Sequence, residues 1–277
     1  MSGRPQRPPP LVTLHVWRVP RRAVPRALAR MAVDRRRLRA VPGVRFGKLL
    51  GTGTGDGFGP GDADLTRYAA LVVWADPAAA TRGLRGSAVG RAWDGLADAS
   101  ARIDLTPVVS RGRWSGVEPF GPVAGGRVDG PVLALTRARL RPLRAMTFWR
   151  AVPPVAAALA GAPGLLARFG VGEAPIGWQG TVSVWRSAAD LTGFAYRQPE
   201  HRAVIDRTPV DRWYAEDLFA RFAVRDIVGD RSVLGWAGHE PADQERADQE
   251  RAEHDRADQE RADQERADRA EEENAGR

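Results

Sequence analysis

Apolar and polar positions alternate along "LVTLHVWRV" (Leu11–Val19), a stretch rich in β-formers that predicts a strand. "RAVPRALARMAVDRRRLRAV" (Arg22–Val41) changes to a helical spacing, with Pro25 in the first turn, where its missing N–H costs nothing. "VRFGKLLGT" and "RYAALVVWA" (Arg67–Ala75) return to strand character, and a helix is predicted from about Asp76 to near Ala99. "ARIDLTPVVSRGRW" (Ala101–Trp114) completes the order β-α-β-β-α-β.

The order then recurs. "PVLALTRARLR" (Pro131–Arg141) predicts a strand, and Leu143–Gly161 a helix interrupted at Pro153–Pro154. Leu165–Glu173 and Gly177–Ser187 predict a hairpin. A helix over Ala188–Arg207, broken before Pro199, and a strand over Ala220–Val228 follow. Two such units imply an α+β fold, a tandem duplication of ferredoxin-like βαββαβ units whose sheets pack face to face into one dimeric-α/β-barrel-like body. The predicted organisation is a disordered N-terminus (1–10), a first half (11–116), a linker (117–130), a second half (131–238) and a charged repeat tail (239–277).

"KLLGTGTGDGFGPG" (Lys48–Gly61) resembles a phosphate cradle, yet its chemistry excludes one. A dinucleotide fingerprint needs glycines at i, i+2 and i+5, and every glycine from 51 to 61 is odd-numbered. A P-loop needs Gly-Lys-Ser/Thr opening a helix, whereas Lys48 precedes these glycines and a strand follows them. The stretch predicts a hairpin tip whose glycines allow bends or close approach.

The net charge of +8 divides unevenly: residues 239–277 carry −8 and residues 1–238 carry +16. Lys48 is the only lysine beside 41 arginines, and no aromatic–basic recognition motif accompanies the charge, so nucleic acid is not expected as a partner. The tail repeats "ADQER" almost every five residues; such a period winds its alanines around a helix without forming a stripe, which predicts a solvated appendage. There is no cysteine, so disulfides, iron–sulfur ligation and thiolate-bound haem are excluded. The start has no apolar leader segment, and the longest uncharged run, Ala151–Ala167, holds three prolines and falls short of the ~20 residues a span needs. A cytoplasmic protein is expected.

"VRFGKLLGTGTGDGF", "LTRARLRPLRAMTFWRAVP", "RFGVGEAPIGWQGTVSVW" and "WYAEDLFARFAV" together resemble the spheroidene monooxygenase family of carotenoid-modifying proteins, in collinear order from Leu11 to Val228. The resemblance implies an oxygenase that uses molecular oxygen to place a keto group beside the conjugated end of an acyclic carotenoid. It also implies electrons from a reduced ferredoxin, a haem cofactor and a relation to dimeric α/β-barrel proteins. A membrane-dissolved substrate further implies peripheral contact with the inner face of a membrane, through the arginine-rich body. Two other readings stay open: a haem protein of this fold with other chemistry, such as aldoxime dehydration or peroxide-dependent oxidation, and a non-enzymatic barrel that binds an apolar ligand. The oligomeric state is open, since a duplicated chain can close its own barrel and still pair.

With haem implied, the candidate iron ligand is His201, in "FAYRQPEHRAVID" (Phe194–Asp206), because haem-binding relatives of this fold commonly use a helix histidine against the sheet. Arg197, one helical turn earlier, is the candidate propionate partner, with Phe194 and Tyr196 as ring neighbours. The alternative for His201 is an exposed histidine on an amphipathic helix. His15 and Trp17 share one face of the first strand; if the aliphatic face of Val12, Leu14 and Val16 takes the helices, they line the barrel interior as a substrate pocket. The alternative there is a hydrogen-bonded structural histidine, and the equivalent position in the second half is Thr136. Glu173, Glu216 and Asp217 are weaker acid–base candidates. Trp74, Trp185, Trp213 and Tyr214 read as packing anchors.

Overall fold

The computed structural model describes residues 11–55, 60–121, 125–144, 156–173, 178–197 and 213–236, with single positions 123 and 147. The N-terminal ten residues and the repeat tail lie outside them. β1 (Val12–Arg18), α1 (Val24–Arg39), β2 (Val44–Gly53), β3 (Ala63–Trp74), α2 (Pro77–Arg82), α3 (Ala88–Asp94) and β4 (Ala99–Gly112) form the first set. β5 (Val132–Leu140), β6 (Leu165–Gly172), β7 (Trp178–Trp185), α4 (Ala188–Arg197) and β8 (Tyr214–Gly229) form the second, with residues 156–160 also helical.

Eight antiparallel strands close into a barrel in the order β1-β3-β2-β6-β7-β5-β8-β4. Within it, β4-β1-β3-β2 and β8-β5-β7-β6 have the same internal order. The two seams between these sets differ greatly. β4 pairs with β8 from Ala101↔Gly229 to Gly112↔Leu218, whereas β2 meets β6 only at Gly51↔Gly172, Thr52↔Val171 and Gly53↔Gly170. Gly51 and Gly53, from the stretch that resembles a phosphate cradle, sit at this short seam. A Cβ on Gly53 would lie 2.7 Å from the Asp62 carbonyl oxygen, so bare backbone is needed where β2 meets β6 and turns toward β3.

Three local predictions are adjusted. The single helix expected over 76–99 is two, because Gly83 takes φ +64° and ends α2 while Ser87 caps α3 by accepting from the Gly90 N–H at 3.1 Å. The last strand starts at Tyr214 rather than Ala220, which puts Glu216 and Asp217 on the sheet. The helix expected over 188–207 is described only as far as Arg197.

The barrel lumen is a packed core. Val12, Leu14, Val16, Leu50, Leu71, Val73, Ile103, Leu105, Leu133, Leu135, Phe169, Val182, Leu218 and Phe222 belong to one buried cluster. Trp114 and Phe120, on the segment after β4, join it, as do Val233 and Leu234, in the helical turn after β8. A second cluster fills the layer between the first set and its helices, with Trp17, Tyr68, Trp74 and Trp93 against Ala27, Met31 and Leu38 of α1. This reverses the expected facing of β1. Val12, Leu14 and Val16 point into the lumen, and His15 and Trp17 lie on the opposite face, toward the helices. The reason is packing: on the helix-facing side Trp17 stacks on Trp93 and hydrogen-bonds Asp94 of α3, while the lumen is filled by the aliphatics together with Trp114, Phe120, Phe169 and Phe222. No helix among the described residues is long and apolar enough to cross a membrane.

Candidate active site

His15 is 3% exposed and its Nε2 lies 3.2 Å from the Thr13 hydroxyl, which also accepts the Trp74 Nε1–H at 2.9 Å. The Thr13 hydroxyl keeps a second lone pair and its own proton, so it partners either neutral tautomer of His15. Burial, reinforced by the charges of Arg102 and Arg85, pushes the His15 pKa down to about 3. The imidazole is neutral at any physiological pH. It stacks on Trp17 at 5.7 Å, and Trp17 in turn stacks on Trp93 at 5.5 Å and donates its Nε1–H to Asp94 at 2.7 Å. These contacts make a filled aromatic layer.

The strand registers identify the matching positions of the second set. Trp74 lies four residues beyond the partner of His15, Ala70, and Trp185 lies four beyond the partner of Thr136, Thr181. Trp185 repeats the role of Trp74, donating its Nε1–H to Ser183 at 2.9 Å. Thr136 therefore stands where the first set has His15, Ala138 where it has Trp17, and Ala134 where it has Thr13. Thr136 is exposed at mid-strand, whereas His15 is buried. Around it on the same face lie Thr181, Gly170 and Phe219, with Ser183 and Arg221 on either side of Ala134. Ala162, Leu191, Phe194 and Trp185 pack together over one end of this face. The Nε of Arg221 is buried without a hydrogen-bond partner among the described residues. An exposed Thr136 and the unpartnered Arg221 Nε on the same face suit a group that carries an anion.

His201 lies outside the described residues. Arg197 ends α4, and its side chain also lies outside them. Among the described residues no group of three or more histidines and carboxylates could hold a metal ion.

The acid–base candidates lie elsewhere, at one end of the lumen. Glu173 accepts from Trp114 Nε1 at 2.6 Å, Lys48 Nζ at 2.6 Å and Arg137 at 3.0 Å. Its backbone carbonyl accepts from Arg35. Burial would raise its pKa, but the Lys48 and Trp114 hydrogen bonds and the Lys48 and Arg137 charges prevail and lower it. Arg137 also donates to Glu216, which accepts the Ser115 and Gly116 backbone N–H groups at 3.0 and 2.7 Å. Ser115 has the positive φ of 56° that aims both amides at this carboxylate. Burial again opposes the outcome at Glu216, and the two amides with Arg137 hold its pKa down. Both glutamates are fixed anions in an ion network and thus poor proton carriers. Asp217 is exposed on the opposite face of β8. The alternation of "LALTRARL" holds the missed signal: Leu133, Leu135 and Arg137 share one face, so an aliphatic lumen implies a buried arginine needing anions.

No family model matches this chain. Among curated proteins it is 34% identical over 222 residues to a spheroidene monooxygenase of Rhodobacter capsulatus, spanning 79% of this chain and 89% of the relative. It is 31% identical over 218 residues to the one from Cereibacter sphaeroides, spanning 78% of this chain and 65% of the relative. Among solved structures, an aldoxime dehydratase superposes with a TM-score of 0.53 at 16% identity, over 81% of this chain and 85% of that one. A second aldoxime dehydratase, crystallised with butyraldoxime, reaches 0.51 at 14% identity, over 79% and 80%. At such identities the structural likeness shows the fold alone.

Proposed function

The chain belongs to the spheroidene monooxygenase family and is a monooxygenase; from that premise we propose that it oxidises an acyclic carotenoid of spheroidene type, placing a keto group beside the conjugated polyene. The observation that carries this reading is the 34% identity maintained over 89% of a curated spheroidene monooxygenase. Each hydroxylation takes one O2, two electrons and two protons, inserts one oxygen atom into a C–H bond and releases the other as water. A second round on the same carbon yields a gem-diol, whose loss of water leaves the ketone. The electrons come from a reduced ferredoxin, and the substrate is drawn from the inner face of a membrane by a protein resident in the cytoplasm. Equal strand order in the two sets supports their origin as a tandem duplication.

The second set supports a haem reading on its own geometry. Thr136 is exposed where the first set has the buried His15, and the unpartnered Arg221 Nε on the same face fits a propionate or another anion. In this reading His201 would ligate the iron, and Arg197 and Arg221 would neutralise propionates. The haem would supply oxygen activation when bound. The protein's part is to satisfy the anions and to exclude water around the polyene.

The test is an absorption spectrum of the purified protein from haem-replete cells beside His201→Ala, followed by turnover of an acyclic carotenoid with reduced ferredoxin. A Soret band lost or shifted in the variant, together with a product heavier by a keto oxygen and lighter by two hydrogens, is expected. A band with no carotenoid product points to other haem chemistry on this fold. Absence of a band after haem is added back removes the cofactor from the proposal.

A further inference from the structure

The outward face of α1 is chemically unlike that of an ordinary surface helix. Ala27, Met31, Asp34 and Leu38 turn toward the barrel and are buried. At 100° per residue, Pro25, Ala29, Ala32, Val33 and Arg36 lie on the opposite side, and Leu28 lies on its shoulder. Leu28 is 48% and Val33 50% exposed, and both are among the few large apolar side chains the described residues leave in water. Further arginines stand on both flanks, with Arg26, Arg30 and Arg37 on one and Arg35 and Arg39 on the other. The helix has a single acid, Asp34, which is buried and bridged by Arg30 at 3.1 Å and Arg37 at 3.3 Å. Asp34 offsets those two arginines, and Arg26, Arg35, Arg36 and Arg39 keep the exposed face cationic.

The flank facing α3 deepens into a groove of about 580 Å³. Arg26, Arg30, Arg37 and Arg91 surround it, while Ala29, Val33, Ala92 and Leu96 supply apolar lining. Guanidinium groups around an apolar bed complement an anionic amphiphile: the phosphate meets the arginines and the hydrocarbon meets the alanine, valine and leucine side chains.

We propose that the α1–α3 surface docks the protein on an anionic phospholipid bilayer, with a lipid headgroup phosphate in the groove and Leu28 and Val33 entering the interface. This rests on the proposed function for its purpose, since it names the face through which a membrane-dissolved substrate is approached. Its physical basis is independent of that function. Charge complementarity selects the anionic surface, and the exposed apolar apex distinguishes a bilayer from a purely ionic partner such as nucleic acid, which a helix would meet with polar side chains.

The test is co-sedimentation of the full-length protein with vesicles of phosphatidylcholine alone or mixed equally with phosphatidylglycerol, at low and high salt. Binding should require phosphatidylglycerol and weaken with salt. Arg26→Glu with Arg36→Glu should lower partitioning by at least ~10-fold, whereas Arg26→Lys with Arg36→Lys should retain it. Leu28→Asp with Val33→Asp should abolish the fraction that resists salt. All four positions are exposed, and a melting curve for each variant verifies folding. Equal binding to phosphatidylcholine alone, indifference to these substitutions, or displacement from vesicles by duplex DNA would each overturn the proposal. Turnover of carotenoid in detergent micelles separates the two readings. Vesicle binding with the expected pattern but no turnover leaves the docking face standing and removes the function, and turnover without vesicle binding does the reverse.

Discussion

The two four-stranded sets share strand order and register but use the gap between sheet and helix differently. In the first, Trp17, Trp74, Trp93 and Tyr68 pack with His15 into a closed layer, and no mid-strand side chain of β1 is exposed. In the second, Thr136 and Ala138 occupy the positions of His15 and Trp17, and Thr136 is open to solvent. The central strand of the first set buries a large ring at mid-strand, and that of the second exposes a threonine there. A barrel that must be stable and also hold a large ligand can divide these tasks, since filling a gap gains burial and dispersion that an open face forgoes. The ion network at the lumen's end joins the sets: Lys48 comes from the first, and Glu173, Arg137 and Glu216 come from the second.

Exchanging the contents of the two gaps should break the comparison most directly. Trp17→Ala removes a side chain that is 1% exposed, and unfolding experiments should show a loss of ~3–5 kcal/mol. The reciprocal Thr136→Trp places a ring at the exposed position and should leave the melting temperature nearly unchanged while abolishing the Soret band. A collapse in stability with Thr136→Trp instead would mean that this face is as tightly packed as the first.

The network comes next in size. Glu173→Gln strands Lys48 and Arg137 at partly or fully buried positions, and denaturant titration should show a loss of roughly 3 kcal/mol. Lys48→Met combined with Glu173→Gln should recover part of it, because only Arg137 then depends on the remaining acid, Glu216. If the double variant is worse than the sum of its parts, Lys48 acts beyond its pairing with Glu173.

Arg221→Gln sharpens the assignment of the open face. The Arg221 Nε makes no hydrogen bond among the described residues, so stability should change by less than ~0.5 kcal/mol. Haem retention, followed by titration of the stripped protein, should weaken by about tenfold, the equivalent of ~1.4 kcal/mol. Unaltered retention would remove this arginine from the ligand's surroundings.

The last comparison separates the two sets by pH. The folded pKa of His15 is depressed to about 3 against an ordinary 6.5, so the unfolded chain binds the proton in between. Its contribution is fully present above pH 6.5 and is lost as the pH falls toward 3, by at most ~1.4 kcal/mol per pH unit. His15→Gln should make the stability profile flatter than that of the parent across this window. Thr136 has no proton to exchange, and Thr136→Val should leave the parent's slope intact.

Much of this was legible in the chain. The order of strands and helices, the pair of strands around the glycine-rich stretch, and the collinear resemblance to one family all follow from residues within a few positions of each other. The helix break at Gly83 is hidden because Pro77 and the apolar spacing that follows it continue a helical pattern, and only the positive φ at Gly83 and the Ser87 cap interrupt it. The ion network is half visible: Glu173 stands out, but Arg137 looks like one more arginine in an arginine-rich chain. Its burial depends on Trp114 and Ser115, more than twenty residues before it in the chain, arriving at the same barrel end.

What the sequence determined by itself is local and periodic. Alternation with a period of two assigns Val12, Leu14 and Val16 to one face of β1 and His15 and Trp17 to the other. That pattern cannot say which face is inside, because both are buried. Tertiary packing decided it, since α3 offers Trp93 and Asp94 to Trp17 on one face while Trp114, Phe120 and the facing strands fill the lumen on the other. The same closure decided that the two sets, alike in strand order, would differ in what they leave open: a strand carries its side chains from the sequence, but the space facing them comes from elements far away along the chain.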